Sequence, residues 1–324
     1  MAKKKVIQKI QLIRLFLSLW GVVVLGNCIS MSTGNLPSEP PAVSPVDIDV
    51  SNITFGSVAW HPSQDRLAAD GRKECMADIC PMGIYEIDIL NGHVIEIAEE
   101  QGQGLPSWLA GGEYLSFAWS TLDKSGIFIT SESEFSPIFF HDGVSAAWSS
   151  NGDFVAVEQR DYDEKTGNKT AQVIVLDLHN NKEETNIFQT PWSLEARIDG
   201  MAWSPDNNNL AFAATWYQSG KEMEDHLYVV DLGGKQRQLL SLDRVRYPGW
   251  LPDGQWLFFA FGKENRLAFV HTKRACIVET DITNVEYPSI SPDGDTLAFT
   301  YGNIYLIDLD ELLGSERQLL VCRD

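Results

Sequence analysis

The stretch YPGWLPDGQWLFFAF (247–261) is followed 40 residues later by YPSISPDGDTLAFTY (287–301). In each, a short apolar strand ends at Trp250 or Ile290, a polar turn follows, and a second strand of the Leu-Ala-Phe kind begins. The same phrase occurs four more times, as GSVAWHPSQDRLAA (56–69), LPSWLAGGEYLSFA (105–118), SAAWSSNGDFVAV (145–157) and GMAWSPDNNNLAFAA (200–214).

The residues that end the first strand of each phrase serve as anchors, and they recur at intervals of 40 to 55 residues. They are Trp60, Trp108, Trp148, Trp203, Trp250 and Ile290. Each interval has room for four strands, and a repeat of about 40–50 residues is typical of propeller blades. The sequence therefore predicts an all-β, six-bladed β-propeller of four-stranded blades over residues 46–324. Residues 46–55 could add a strand that closes the ring against the last blade.

The turn phrase has a physical reason. In Ser-Pro-Asp-Gly, proline presets φ for a type I turn, aspartate caps the turn, and glycine takes the left-handed position that closes the hairpin. The large flat Trp before the turn is expected to pack between neighbouring blades. We therefore interpret these residues as structural.

Three of these turns carry a family resemblance: Pro252-Asp253-Gly254, Pro292-Asp293-Gly294 and Ser204-Pro205-Asp206. In the last repeat the third and fourth strands are predicted at NIYLIDLDE (303–311) and RQLLVC (317–322). Together with the Leu-Ala-Phe strands and the later Ile-Tyr-x-Ile-Asp strands, the turns resemble the WD40-like PD40 repeats of TolB-type six-bladed propellers. The resemblance implies the propeller fold and an extracytoplasmic setting. TolB itself carries a separate domain before its propeller, whereas a linker precedes the first blade here, so its role in the Tol system is not carried over.

Charge separates the first residues from the rest of the chain. The formal net charge is −20, yet five of the 25 basic residues lie within the first fourteen positions. The remaining body has 20 basic against 45 acidic residues. A body so acidic repels phosphate backbones, so we do not expect a nucleic-acid partner.

The N-terminus has the pattern of a targeting segment. Residues 1–28 combine a basic start, the apolar run LFLSLWGVVVL (15–25) and Cys28, and are predicted to be a signal peptide or membrane anchor. Leu25-Gly26-Asn27-Cys28 resembles a bacterial lipobox, although Asn27 stands where a small residue is usual. Three outcomes stay open: lipidation of Cys28, a cleaved secreted form, and an uncleaved anchor. Residues 29–45 are a Pro/Ser/Gly linker suited to a tether.

The other four cysteines fit an exported domain, in which disulfides are permitted. Cys75 and Cys80 lie in one loop and are predicted to form a disulfide. Cys276 and Cys322 could pair or could be buried free thiols. The cysteine spacing does not repeat and no histidine pair accompanies it, so we expect no metal site.

No catalytic motif stands out. The chain lacks a Gly-x-Ser-x-Gly elbow, a P-loop and a His-Glu-x-x-His phrase. We therefore predict that it is not an enzyme and uses no cofactor. The loop RDYDEKTGNK (160–169) is interpreted as a charged connection between the second and third strands of blade three. TWYQSGKEMEDH (215–226) is its counterpart in blade four, where Trp216 and Tyr217 look exposed but could be half-buried.

Propellers bind ligands where the segments that lead into the innermost strands converge at the channel mouth. The candidate ligand-binding residues there are His141, Asp142, Arg197, Asp199, Arg244, Arg246, Asn284 and Glu286. Converging arginines could clamp a carboxylate of a peptide or small ligand. Alternatively, each arginine could simply neutralise a nearby acid.

These observations favour a non-catalytic interaction module that binds a protein or peptide partner in the cell envelope. The predicted location is extracytoplasmic, either secreted or tethered to the membrane through the N-terminal segment. The alternative is a glycan-binding or glycan-active propeller, because carboxylates are abundant and a glycosidase needs only two of them in the channel.

Overall fold

A computed structural model describes residues 52–74, 82–100, 104–120, 125–131, 136–180, 182–217, 223–274, 276–314 and 320. Within these ranges the chain forms six antiparallel sheets, each built from strands that follow one another in sequence. This arrangement confirms the predicted all-β, six-bladed propeller. The predicted segments 1–28 and 29–45, with Cys28, lie outside the described residues, as do Cys75, Cys80 and Cys322.

The first three blades each have four strands. Blade 1 comprises β1 (Ile53–Trp60), β2 (Arg66–Lys73), β3 (Met82–Asp88) and β4 (Val94–Glu100). Blade 2 comprises β5 (Gly104–Trp108), β6 (Tyr114–Ser120), β7 (Ser125–Ser131) and β8 (Ile138–His141). Blade 3 comprises β9 (Ser145–Trp148), β10 (Phe154–Tyr162), β11 (Lys169–Asp177) and β12 (Glu183–Gln189).

The second half of the ring repeats this order. Blade 4 comprises β13 (Ala196–Trp203), β14 (Asn209–Tyr217), β15 (Met223–Asp231) and β16 (Gln236–Ser241). Blade 5 comprises β17 (Arg246–Trp250), β18 (Trp256–Phe261), β19 (Arg266–His271) and β20 (Ile277–Glu279). Blade 6 shows β21 (Glu286–Ile290), β22 (Thr296–Tyr301) and β23 (Asn303–Asp308).

A short helix follows β23. The sequence predicted that this strand extends to residue 311, but the strand ends at Asp308. This helix, α1 (Leu309–Leu313), begins because the Asp308 carboxylate accepts hydrogen bonds from the backbone N–H groups of Asp310 and Glu311. The predicted fourth strand of blade 6, residues 317–322, lies outside the described ranges. No helix within those ranges is long and apolar enough to span a bilayer.

The ring closes through blades 1 and 6. The innermost strand of each blade contacts the innermost strands of both neighbours, including β1 against β21. The Phe55 N–H donates to the Gly302 carbonyl at 2.8 Å, and the Thr300 hydroxyl donates to the Gly56 carbonyl. Residues 53–55 therefore begin the inner strand of blade 1 and contact blade 6, whereas residues 46–51 of the suggested closing strand lie outside the described residues.

The turns have the predicted geometry. Gly254 and Gly294 have φ values of 65° and 82°, in the left-handed region that favours glycine. The carboxylate of Asp253 accepts hydrogen bonds from the backbone N–H groups two and three residues later, those of Gln255 and Trp256. The prediction of a capped, glycine-closed turn is thus confirmed.

The tryptophan anchors join neighbouring blades. The indole N–H of Trp203 donates to the Ala147 carbonyl of the preceding blade at 2.9 Å, and that of Trp250 donates to the Ala202 carbonyl at 3.1 Å. The indole N–H of Trp108 in blade 2 likewise donates to the Ala59 carbonyl of blade 1. Each bond spans a blade boundary, so the anchors fix the spacing of the blades as well as fill their interfaces.

The core consists of apolar layers between adjacent blades. The layer between blades 3 and 4 includes Phe188, Phe212 and Trp216, and the layer between blades 5 and 6 includes Phe258 and Phe299. Cys276, which is disulfide-bonded, lies against this second layer. Its partner is outside the described residues.

Candidate functional site

The innermost strands carry a regular set of residues that is found by counting back from each anchor. The residues four positions before the anchors are Gly56, Gly104, Val144, Asp199, Arg246 and Glu286. The residues three positions before the anchors are Ser57, Leu105, Ser145, Gly200, Tyr247 and Tyr287. Blades 1–3 thus contribute small or neutral side chains, whereas blades 4–6 contribute two acids, an arginine and two phenols. The ring is chemically polarised.

A β-bulge interrupts five of the six innermost strands at these positions. In β17 and β21 the bulge places Tyr247 and Tyr287 at φ values of 53° and 47°. A bulky residue in the left-handed region costs free energy and persists only where its surroundings impose it. Bulges redirect side chains and are common beside functional sites. Here they direct two tyrosines toward each other across the boundary between blades 5 and 6.

We use the name mouth cluster for Asp199, Arg246, Tyr247, Glu286 and Tyr287. The ring centroids of Tyr247 and Tyr287 are 4.2 Å apart with an interplanar angle of 35°, and their hydroxyls are hydrogen-bonded to each other. A further hydrogen bond links Arg246 to the Tyr247 hydroxyl. All five side chains are half-buried. Each of them therefore keeps part of its surface accessible to solvent or to a ligand.

An ordered pair of charges adjoins the mouth cluster in blade 4. The Arg197 Nε donates to both carboxylate oxygens of Asp199, at 2.9 and 2.7 Å. The Thr215 hydroxyl lies 3.0 Å from Asp199 Oδ2 and 2.5 Å from Asp225 Oδ1. This network orients Asp199 and satisfies its hydrogen-bonding capacity with residues of its own blade.

Burial sets the protonation of the cluster. Burial raises the pKa of Tyr247 to about 12, with Asp199 and Glu286 adding to the effect, and it raises the pKa of Tyr287 as well. Both phenols therefore remain protonated at neutral pH and can donate hydrogen bonds. Burial also raises the pKa of Glu286, against the opposing effect of Arg246. The Glu286 carboxyl group therefore takes up a proton more readily than a solvent-exposed glutamate does.

A second set of buried carboxylates ties the blades together around the channel. Asp70 of blade 1 accepts hydrogen bonds from the N–H and hydroxyl of Ser57, both at 2.7 Å, and from the N–H of Leu105 in blade 2 at 2.9 Å. Glu158 of blade 3 accepts from the Ile198 N–H of blade 4 at 3.1 Å. Asp225 links blade 4 to blade 5 in the same way. We interpret these carboxylates as structural, because each satisfies a backbone donor of the next innermost strand.

The structure brings together four of the eight predicted site residues: Arg197, Asp199, Arg246 and Glu286. Two further predicted residues, Arg244 and Asn284, precede innermost strands, and their backbone N–H groups form hydrogen bonds with neighbouring segments. Arg244 is exposed, and its N–H donates to Asp225 at 2.9 Å. Asn284 is buried, and its N–H donates to the Glu264 carbonyl at 2.6 Å.

His141 and Asp142 lie apart from the mouth cluster. His141 ends the outermost strand β8, and its Nε2 is 3.2 Å from Glu184 of β12, the outermost strand of blade 3. The Asp142 carbonyl accepts from the Gln159 side chain. A connection between blades must travel from the outermost strand to the next innermost one, and these two residues lie at its outer end.

Tyr247 and Tyr287 were not among the predicted site residues. Both follow a charged residue and precede a proline, in Arg-Tyr-Pro and Glu-Tyr-Pro. The fixed distance of three residues from the anchor is the sequence signal that identifies them.

The structure also describes parts of the two segments singled out in the sequence, 215–226 and 160–169. Trp216 is only 7% exposed and stacks on His226, with ring centroids 4.5 Å apart, so it is not a surface recognition residue. The segment 160–169 connects β10 to β11 as expected. Its Asp163 carboxylate is occupied by the Lys165 N–H and the Thr166 hydroxyl, which form a local turn.

No protein-family model and no curated protein matches this sequence. Solved structures do match. TolB from Acinetobacter baumannii superposes with a TM-score of 0.54 at 15% identity, covering 80% of this chain and 61% of the TolB chain. A gluconolactonase from Xanthomonas campestris has a TM-score of 0.57 at 11% identity, covering 83% of this chain and 94% of that chain. An oligogalacturonate lyase in complex with manganese has a TM-score of 0.51 at 13% identity, covering 83% and 96%.

These likenesses establish the fold, which is that of a TolB-type six-bladed propeller, as the turn phrases predicted. This chain spans about three fifths of the TolB length (61%). The expectation that the chain is not an enzyme is contradicted, because propellers of this fold include a lyase and a gluconolactonase. The lack of a hydrolase elbow therefore excludes one route to catalysis and does not exclude catalysis by the propeller itself.

Proposed function

We propose that this chain is an extracytoplasmic propeller that holds a protein or peptide segment in the mouth of its channel. The observation that carries the proposal is the mouth cluster: three adjacent innermost strands present an arginine, two acids and a hydrogen-bonded pair of phenols at one place. Two strained bulges fix the phenols in position, so little ordering cost remains when a partner binds. The TolB-type fold supports the same class of function, although at the level of fold alone.

Exposed apolar residues of blade 3 also support a protein partner. Trp192 is 50% exposed and Leu194 is 57% exposed, on either side of Ser193. Ser193 pairs with Lys169 through two backbone hydrogen bonds, and Lys169 pairs with the 59%-exposed Tyr162 at the end of β10, so the three apolar residues lie at the same end of blade 3. Exposed apolar side chains grouped in this way are typical of interaction sites. We call Tyr162, Trp192 and Leu194 the blade 3 rim.

Site-specific photo-crosslinking tests where a partner binds. A photoreactive amino acid at Arg244, beside the mouth cluster, should crosslink a discrete protein in intact envelopes, and one at Trp192 should report on the blade 3 rim. Arg237 is exposed on the outermost strand β16 and serves as the matched control position. Crosslinks at Arg244 that disappear in a Tyr247→Ala, Tyr287→Ala background support the proposal. Equal labelling at Arg244 and Arg237 would refute it.

A second candidate function rests on Glu286. A carboxyl group that is poised to gain a proton, next to Arg246 and two protonated phenols, has the groups needed for proton transfer to a sugar ligand. A glycan-active propeller would release product from oligosaccharides of acidic sugars, and Glu286→Gln would abolish that release while leaving the fold intact. Absence of turnover across such a panel, together with the crosslink at Arg244, favours the binding function.

The proposal includes a tether to the membrane through Cys28 and the linker 29–45. Natively expressed protein should partition with membranes and have a mass that begins at Cys28 with added acyl chains. A Cys28→Ala variant should lose both properties. A full-length mass would indicate an uncleaved anchor instead, and a shortened, unmodified, soluble chain would indicate a secreted protein.

A further inference from the structure

Arg246 has unusual surroundings for a charged side chain inside an acidic protein. It is the first residue of β17 and is half-buried. Its Nε is buried and has no hydrogen-bond partner among the residues that the structure describes. No carboxylate of those residues lies within ion-pair distance of its guanidinium, in contrast to Arg197, which pairs with Asp199 at 2.7 Å. The Arg246 side chain is hydrogen-bonded to the Tyr247 hydroxyl, and its buried Nε–H donor stays unpaired among the described residues.

The nearby acids favour the charged form of Arg246, although no described carboxylate forms an ion pair with its guanidinium. Burial by itself lowers the pKa of Arg246, but Tyr247, Asp199 and Asp225 outweigh this effect and raise the pKa overall. Asp199 is already bonded to Arg197 and Thr215, and Asp225 is bonded to Thr215 and to the Arg244 N–H. The result is a charged guanidinium that makes no ion pair with the described carboxylates and keeps a buried Nε–H donor without a partner among the described residues.

We propose that Arg246 is the receptor for a carboxylate group of the ligand, an inference that rests on the proposed function and names the chemistry its partner must bring. A guanidinium presents parallel N–H groups that match the two oxygens of a carboxylate. A phosphate dianion would match the donors too, but Asp199, Asp225 and Glu286 would repel its second charge. The carboxylate can come from the C-terminus of a peptide or from an acidic side chain.

Binding of a carboxylate here takes up a proton at Glu286. The groups that face Glu286 are Arg246 from β17, Tyr301 from β22, Tyr247, and the Asn265 amide at 3.5 Å from Oε1. The neighbouring strands β1 and β18 contribute no titratable side chain. A bound anion disfavours ionised Glu286 and raises the pKa of that carboxyl further. Affinity should therefore increase as the pH is lowered toward the pKa of the ligand carboxylate.

Calorimetric titration with defined probes tests the inference. The probes are acetyl-Gly-Gly-Phe as the free acid, the same peptide as its amide, acetyl-aspartate amide, and inorganic phosphate. We expect at least one of the two acids to bind about tenfold or more tightly than the neutral amide, consistent with a hydrogen bond to a charged group. Comparison of the two acids separates a C-terminal from a side-chain carboxylate. Arg246→Gln should remove the preference, Arg246→Lys should retain part of it, and Arg237→Gln should leave it unchanged.

The outcomes separate this inference from the proposed function. If the free acid and the amide bind equally and Arg246→Gln has no effect, the carboxylate assignment fails while peptide binding stands. If neither acid binds the wild-type protein, or if phosphate binds more tightly than both, the assignment also fails. Affinity that falls on acidification would contradict the role of Glu286. If a photoreactive residue at Arg244 gave no crosslink even in the otherwise wild-type protein, the proposed function itself would be refuted.

Discussion

Replacing Asp70 with alanine is expected to lower the free energy of unfolding by about 3–5 kcal/mol, the largest single effect we anticipate. Asp70 is 2% exposed and accepts hydrogen bonds from the Ser57 N–H, the Ser57 hydroxyl and the Leu105 N–H. In the alanine variant two backbone donors would remain buried without an acceptor, at about 1–3 kcal/mol each. The variant would also lose a direct connection between blades 1 and 2.

Urea unfolding followed by tryptophan fluorescence measures this effect, and the midpoint of thermal unfolding should fall by roughly 5–10 °C. Asp70→Asn is the matched control, because it keeps one acceptor oxygen and the side-chain volume, and it should lose clearly less stability. Asp163→Ala provides a second control, since that half-exposed carboxylate caps a local turn and accepts hydrogen bonds from the Lys165 N–H and the Thr166 hydroxyl of that turn. If Asp70→Ala and Asp163→Ala had equal effects, the carboxylate connection between blades would not be important for stability.

The repeated turn phrase was sufficient to predict the fold. The proline, aspartate and glycine of the turns act locally through their φ preferences, and the tryptophan anchors act through a contact with the residue before the anchor of the preceding blade. This is why the prediction succeeded at Gly254 and at Trp203. The helix Leu309–Leu313 departs from the predicted strand because Asp308 caps it, which is a local signal that the repeat pattern obscured.

The candidate site could be predicted only in part. Asp199, Arg246 and Glu286 were identified because charged residues precede the innermost strands. Tyr247 and Tyr287 were missed, because their direction depends on bulges that appear only when the strand register is known. His141 was included because it precedes an innermost strand in sequence, although the connection begins at the outer edge of the ring.

Buried polar partnerships were beyond the reach of sequence alone. Asp70 and Leu105 are 35 residues apart and belong to different blades, and their contact follows from the packing of one blade on the next. The same holds for Glu158 and Ile198, which are 40 residues apart. Repeat spacing predicts that blades are neighbours, but it does not predict which acidic residue points across the boundary.

The second large loss of stability is expected from a substitution at Gly249, which follows the bulge that positions Tyr247 in β17. A Cβ added at Gly249 would lie 2.5 Å from Cε2 and 2.7 Å from Cε1 of Phe258, and closer still to Cζ. Phe258 is 2% exposed in the core between blades 5 and 6, so its ring has little room to withdraw. Gly249→Ala should therefore cost about 2–4 kcal/mol of stability.

The strain from Gly249→Ala should also reach the mouth cluster, because β17 cannot move away from Phe258 without displacing Arg246 and Tyr247, which lie three and two residues earlier in the same strand. We expect carboxylate affinity to fall together with the unfolding midpoint. Gly111→Ala is the control, since a Cβ there meets nothing within 4 Å and should leave both properties unchanged. Stability lost at Gly249 with full retention of binding would mean that the position of Arg246 does not depend on β17 packing against Phe258.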